Sequence, residues 1–300
     1  MRLMPFSLYE CEQFLNSNGI EYTRKQIVES YMVFGGIPYY LNYLQPEYSL
    51  TQNIDLLFFR ENSPLRYEFQ QMFSALFSNA DNYINVIREL SKKKGGMTRN
   101  ELIDSKNVVD GRLLTRCLED LEQCGFIRKY HDFSTRTNGA HYQLIDPMCL
   151  FYLTFIENGS TNSWQDYIST PSYYSWCGIS FEKVCLLHIK QIKQKLGISG
   201  VSSNEFSWYS KKTNPGAQID LLIDRKDDVI NICEIKYSQE KYTIDAEYEK
   251  DLIHKREVLR TETNTSKALW ITLITYSGLT ENKYKNIAVN EIVGDDLFVS

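Results

Sequence analysis

The chain has 300 residues, enough for two or three domains. Hydrophobic residues make up 43% and aromatics 13%, so substantial cores can be buried, and the charged fraction of 24% is ordinary for a soluble protein. A net charge of −5 argues against a nucleic-acid coat and leaves only a local basic patch for such contact. No apolar run approaches the ~20 residues of a membrane span, and MRLMPFSLYE lacks a signal-peptide core, so a soluble, cytoplasmic protein is expected.

Composition shifts near residues 78–82 and 157–172 divide the chain into three segments. Residues 1–78 are expected to be helical. SLYECEQFLNSNG has helical apolar spacing and stops at Asn-Gly. In KQIVESYMVFGGIPYYLNYLQPEY, Gly35-Gly36 ends one helix and Pro38 starts the next. Tyr39, Tyr40 and Tyr43 share helical spacing and are expected in a core or an interface.

Residues 79–157 carry three helical patterns and a ribbon. ADNYINVIRELSKKKGG is amphipathic. MTRNELIDSKN opens on Thr98 with Glu101 three residues on, a capping box. GRLLTRCLEDLEQCGFI stops at Gly125, and its Cys117 and Cys124 are expected in the core. IRKYHDF and HYQLID then pair around STRTNGA. Three helices and a hairpin make the winged helix-turn-helix plan, whose third helix enters the DNA major groove. On residues 110–123, Arg112 and Arg116 stand against Asp110, Glu119, Asp120 and Glu122. On residues 128–142, Arg128, Lys129 and Arg136 stand against Asp132. Phosphate contact needs local positive charge. The wing and the first half of the helix offer it, and the acidic second half does not. DNA contact and a spacer or protein-docking role both stay open.

Residues 173–300 are expected to form a mixed sheet flanked by helices in the order αβββαβ. The helix GISFEKVCLLHIKQIKQKLGI precedes the strands EFSWYSKK, AQIDLLIDR and INICEIKYS. The charged helix IDAEYEKDLIHKREVLRTET and the strand KALWITLITYS follow. Asp220, Glu234 and Lys236 sit inside the apolar strands. Side chains alternate faces along a strand, so Asp220 meets Glu234 only with the right register parity. That register closes the hairpin through a three-residue loop, 226–228. Adjacent carboxylates repel and resist ionisation, and a hard divalent cation, Mg²⁺ or Mn²⁺, relieves this. Lys236 would then stand beside the cation to orient water or to stabilise charge on a phosphate. Solvated strand-end charges are the alternative, because E-x-K alone is a weak pattern. The seven cysteines form no CxxC pair, and His131, His141, His188 and His254 lack zinc spacing. No Ser-His-Asp motif is present.

The third segment resembles the PD-(D/E)XK nuclease superfamily, which has a restriction-endonuclease-like αβββαβ core. The resemblance rests on Glu182 in GISFEKV, Asp220 in AQIDLLID, and Glu234 and Lys236 in CEIKY. It implies that Asp220, Glu234, Glu182 and the main-chain carbonyl of Ile235 hold the cation, and that Lys236 assists the water. Ile219 replaces the proline of the family name. Tyr248 and Lys255 are candidate additions from the later helix. Across nearly the whole chain, LMPFSLYE, VFGGIPYYL and LIDPMCLFYLTFI resemble the C-terminal portion of archaeal-type AAA+ ATPases. In that family an ATPase core leads into a helical lid, a winged helix and a nuclease-like domain. The sequence has no GxxxxGK[ST] loop, so an ATP site and ATP hydrolysis are not expected here. The chain is expected to start inside or just after the ATPase core. DNA and a separate P-loop ATPase are its expected partners. The functional expectation is a metal-dependent DNA endonuclease with a winged-helix DNA-binding module. The alternative is a non-catalytic DNA- or protein-binding regulatory half of an AAA+ ATPase.

Overall fold

The computed structural model describes residues 4–131, 133, 140–159, 163–210 and 212–300. It is an α+β multidomain architecture of two compact units. The first comprises residues 1–129, 141–187 and 300, and the second 130–140 and 188–299.

The first unit opens with α1 (Leu8–Ser17), α2 (Arg24–Phe34), α3 (Pro38–Leu41) and α4 (Leu50–Ile54). Ser7, Thr23 and Ser49 each cap a helix by accepting from the N–H three residues on. Between α2 and α3, Gly35 closes α2 at φ 63°, and Pro38 starts α3. Gly36 is required by a close approach: a Cβ there would lie 2.0 Å from the carbonyl oxygen of Phe6. Tyr40 is 5% exposed and joins the core, whereas Tyr39 is 54% exposed.

Next come α5 (Glu68–Leu76), α6 (Ala80–Ser91), β1 (Met97–Thr98), α7 (Arg99–Asp104), α8 (Arg112–Cys124), β2 (Ile127–Tyr130) and β3 (His141–Leu144). The expected Thr98–Glu101 capping box forms at α7, and Gly125 ends α8 in the left-handed region. The three strands order β1-β3-β2. Cys117 is buried as expected, but Cys124, on the same helical face, is exposed at the last residue of α8, where the helix ends at Gly125. Helix α9 (Pro147–Phe151) runs on into π-helical turns at Tyr152–Glu157, and α10 (Pro171–Leu187) closes the unit.

The unit boundaries differ from the three expected segments at α10. Helix α10 packs on α2 and α9. Its Trp176 ring lies 5.7 Å from Phe151 and 5.3 Å from Phe155. Trp164 and Tyr167, in the stretch read as a polar boundary, are buried in the same aromatic cluster. The expected single helix also breaks at His188, which leaves helical geometry at φ −113°, ψ 31°.

The second unit contains α11 (Ile189–Lys195), β4 (Ser203–Ser210), β5 (Ala217–Arg225), β6 (Val229–Lys236), α12 (Ala246–Thr263), β7 (Ala268–Thr275) and β8 (Asn290–Val293). The sheet is mixed, in the order β4-β5-β6-β7-β8. Strands β4, β5 and β6 are antiparallel neighbours, and β6, β7 and β8 are parallel. Helix α12 packs on β5 and β7. Its Val258 and Leu259 join Trp208, Ile219, Leu222, Ile230 and Ile232 in one apolar cluster. Leu252 joins Ile271, Leu273 and Leu279 in a second.

Candidate active site

The geometry of the β5–β6 hairpin decides whether the two strand acids meet. The ladder pairs Leu221 with Cys233, Leu222 with Ile232, Ile223 with Asn231 and Asp224 with Ile230. Continued by one residue, this register sets Asp220 opposite Glu234. Residues 226–228 separate the strands, the odd loop that parity requires. Asp228 takes the left-handed conformation at φ 62°, where three-residue hairpin loops place their last residue.

A β-bulge on the other edge of β5 shapes the same spot. Phe206 of β4 pairs with Leu222, but Trp208 pairs with Ile219, so Ser207 faces both Asp220 and Leu221. Ser207 Oγ donates to the Asp220 carbonyl at 2.7 Å. The bulge lets Ile219 and Leu222 enter one cluster, although an unbroken strand would send them to opposite faces. The Asp220 side chain is fixed in turn: the Ile235 N–H donates to its Oδ2 at 3.1 Å.

Glu234 shares its face with Ile230 and Ile232, so it looks toward α12 between the two apolar clusters. It is 1% exposed, and Asp220 is 7% exposed. Lys255 Nζ donates to Glu234 Oε2 at 2.8 Å and also pairs with Asp251 at 3.1 Å. Tyr248 OH donates to the same Oε2 at 3.5 Å. Glu234 Oε1 is buried with no hydrogen-bond partner among the described residues. Burial first, and then the charge of Asp220, push the Glu234 carboxyl up to about 7, against the pull of Lys255 and Lys236. Burial alone would lower Lys255, but Glu234 and Asp251 together raise it. Burial, and secondarily the charge of Glu234, raise the Tyr248 phenol. Lys236 extends over the Tyr248 ring, with Nζ 5.0 Å from its centroid.

Asp220, Glu234, Lys236, Tyr248 and Lys255 therefore converge in one unit. Ile235 lies between Glu234 and Lys236 and anchors Asp220 through its N–H. Glu182 belongs to the first unit, on α10. There Lys94 Nζ stands 2.7 Å from its Oε2, Lys183 Nζ 3.1 Å from its Oε1, and Gln143 Nε2 donates to Oε1 at 3.3 Å. Among the described residues, no group of three or more His, Cys, Asp or Glu side chains gathers to hold a metal ion. The sheet unit offers two acids and a backbone carbonyl.

Of the basic residues expected to meet DNA, Arg112, Arg116 and Lys129 are exposed. Arg116 reaches Asp120 at 3.5 Å, one turn along α8. Arg128 is half-buried and donates from Nε to Gln143 Oε1 at 2.5 Å. Arg136 lies outside the described residues. No helix of the described residues is long and apolar enough to cross a membrane. Sequence spacing alone did not single out Thr275, whose place beside Lys236 depends on the parallel β6–β7 register.

No family model, curated protein or solved structure matches this chain.

Proposed function

We propose that the chain is a metal-dependent nuclease of the PD-(D/E)XK kind acting on DNA, with residues 79–157 as a winged-helix DNA-binding module. The observation that carries this reading is the buried pair Asp220 and Glu234, close enough for the charge of Asp220 to raise the Glu234 carboxyl, with Glu234 Oε1 lacking a hydrogen-bond partner among the described residues. An orphaned buried carboxylate oxygen costs stability, and a hard cation offsets that cost. Asp220, Glu234 and the Ile235 carbonyl would hold Mg²⁺ or Mn²⁺. When bound, the cation supplies Lewis-acid polarisation of a phosphate oxygen.

The protein's own groups do the rest. The Ile235 N–H and the bulge at Ser207 fix Asp220. Lys255 holds Glu234 Oε2, which leaves Oε1 toward the site. Lys236 brings positive charge to the face where a phosphate would sit, and the Tyr248 ring limits its swing. Arg112, Arg116, Arg128 and Lys129, with Arg136, would position the DNA backbone. A P-loop ATPase supplied by another chain is the proposed protein partner.

One observation favours the non-catalytic alternative. Lys255 already neutralises one of the two strand acids, so the site can rest as a structural ion pair. Mn²⁺ calorimetry on the intact chain and on Asp220→Ala/Glu234→Ala, followed by cleavage assays on duplex, flap and junction DNA, separates the two readings. Binding and cleavage lost in the double variant support the nuclease. An intact chain that takes up no Mn²⁺ and cuts nothing leaves the binding protein.

A further inference from the structure

Among the described residues, Glu234 Oε1 is one of two orphaned oxygens on this face of the sheet. The other is Thr275 Oγ1, which is buried and has no hydrogen-bond partner among the described residues. Thr275 is 0% exposed. The parallel ladder sets Leu273 beside Glu234 and Thr275 beside Lys236. Side chains two apart share a face. Leu273 packs with Leu252 of α12, so Thr275 projects to the α12 side, as Glu234 does. Strand spacing and rise place the Glu234 and Thr275 Cα atoms about 8 Å apart. The Glu234 side chain is long enough to reach well into that gap. The two oxygens do not satisfy each other, yet both end on the same face at the C-terminal end of adjacent parallel strands.

A threonine in a buried strand finds a hydrogen-bond partner as a rule, because an unsatisfied hydroxyl there costs free energy. Valine fills nearly the same space without that cost. Two such orphans on one face, one of them a carboxylate oxygen, call for a common partner that both can serve. A carboxylate oxygen and a hydroxyl oxygen are both hard donors. We infer that Thr275 Oγ1 is a further oxygen donor to the divalent cation held by Asp220 and Glu234, reached directly or through one of the cation's waters. The inference rests on the metal reading above. It makes Thr275 a positioning residue for the cation and spreads the site over three strands, β5, β6 and β7.

The test is Mn²⁺ calorimetry on the full chain, on Thr275→Val and on Thr275→Ser, with urea unfolding of each in chelator. Removing an outer contact to a metal shell typically weakens binding 10- to 100-fold. The expected result is Mn²⁺ binding by the intact chain, a loss of about tenfold or more in Thr275→Val, and recovery in Thr275→Ser. In chelator, Thr275→Val is expected to be at least as stable as the parent, because it deletes an unpartnered hydroxyl. Equal Mn²⁺ affinity in parent and Thr275→Val overturns the assignment of Thr275 and leaves the hairpin site standing. Loss of folding in Thr275→Val with Mn²⁺ binding intact in Thr275→Ala also overturns it. No Mn²⁺ binding by the intact chain removes the metal reading itself, and this inference with it.

Discussion

Replacing Glu234 by glutamine in the presence of chelator tests the energetics of the hairpin directly. The folded carboxyl titrates at about 7 against a starting value of 4.5. A carboxyl raised on folding binds its proton more tightly in the folded state. The folded chain therefore loses stability as pH rises from about 4.5 to about 7, and the loss is complete above that window. A shift of this size corresponds to roughly 3 kcal/mol at 1.36 kcal/mol per unit, an upper figure for a carboxyl coupled to Asp220 and Lys255. Glutamine has the same shape and does not titrate, so Glu234→Gln should lack the decline. The pull of Lys255 adds no separate pH dependence, because it is already contained in the position of the carboxyl at about 7. The informative quantity is thus the difference in unfolding free energy between parent and variant, measured by urea titration at pH 4.5, 5.5, 6.5 and 8. It should move by up to about 3 kcal/mol in favour of the variant as pH rises. Added Mn²⁺ should reverse the trend in the parent alone. Parallel stability curves would refute the claim that Glu234 is held in a state that resists ionisation.

Three further outcomes follow from other contacts. Gly36→Ala should cost more than about 2 kcal/mol in thermal or urea unfolding, because its Cβ has no room against Phe6. Arg112→Glu with Arg116→Glu should weaken duplex binding and lower the salt slope by about 2 if both side chains neutralise phosphates, read by fluorescence anisotropy across a salt series. Glu182→Gln should destabilise the chain by about 3 kcal/mol, because Lys183 is left buried beside a neutral partner, while Mn²⁺ affinity stays unchanged. A large fall in Mn²⁺ affinity in that variant would instead make Glu182 part of the cation's shell.

Much of the hairpin was legible because strand parity is strict. Once AQIDLLIDR and INICEIKYS are strands, a meeting of Asp220 and Glu234 demands an odd loop, and residues 226–228 provide one. The caps at Thr98 and Gly35 were legible for the same kind of reason, since each depends on one or two residue types at fixed spacing. What the sequence hid was set by packing between distant segments. The bulge at Ser207 leaves no local signature, because Asp220 reads as an ordinary alternating position. ENGSTNSWQDYISTPS is polar on average, yet Trp164 and Tyr167 anchor it in an aromatic core. Helix α10 was assigned with the strands that follow it, but its Trp176 faces Phe151 and Phe155. The π-helical turns after α4 and α9 are likewise invisible to a 3.6-residue period.

The two functional readings differ in how they balance charge at the hairpin. Asp220 and Glu234 bring two carboxyl groups to a face built from Ile232, Leu252 and Leu273. Lys255 answers one of them directly, and it is shared with Asp251. Lys236 lies over the Tyr248 ring and acts on Glu234 only through space. If the pair were purely structural, the most stable arrangement would let every polar atom find a donor, and Glu234 Oε1 finds none among the described residues. A structural role also gives no reason for Thr275 to end on the same face with its hydroxyl unpaired among the described residues, where valine would pack as well. Both orphans have a role if a small hard cation completes the site, and the raised carboxyl of Glu234 would return to its ionised form once the cation is present.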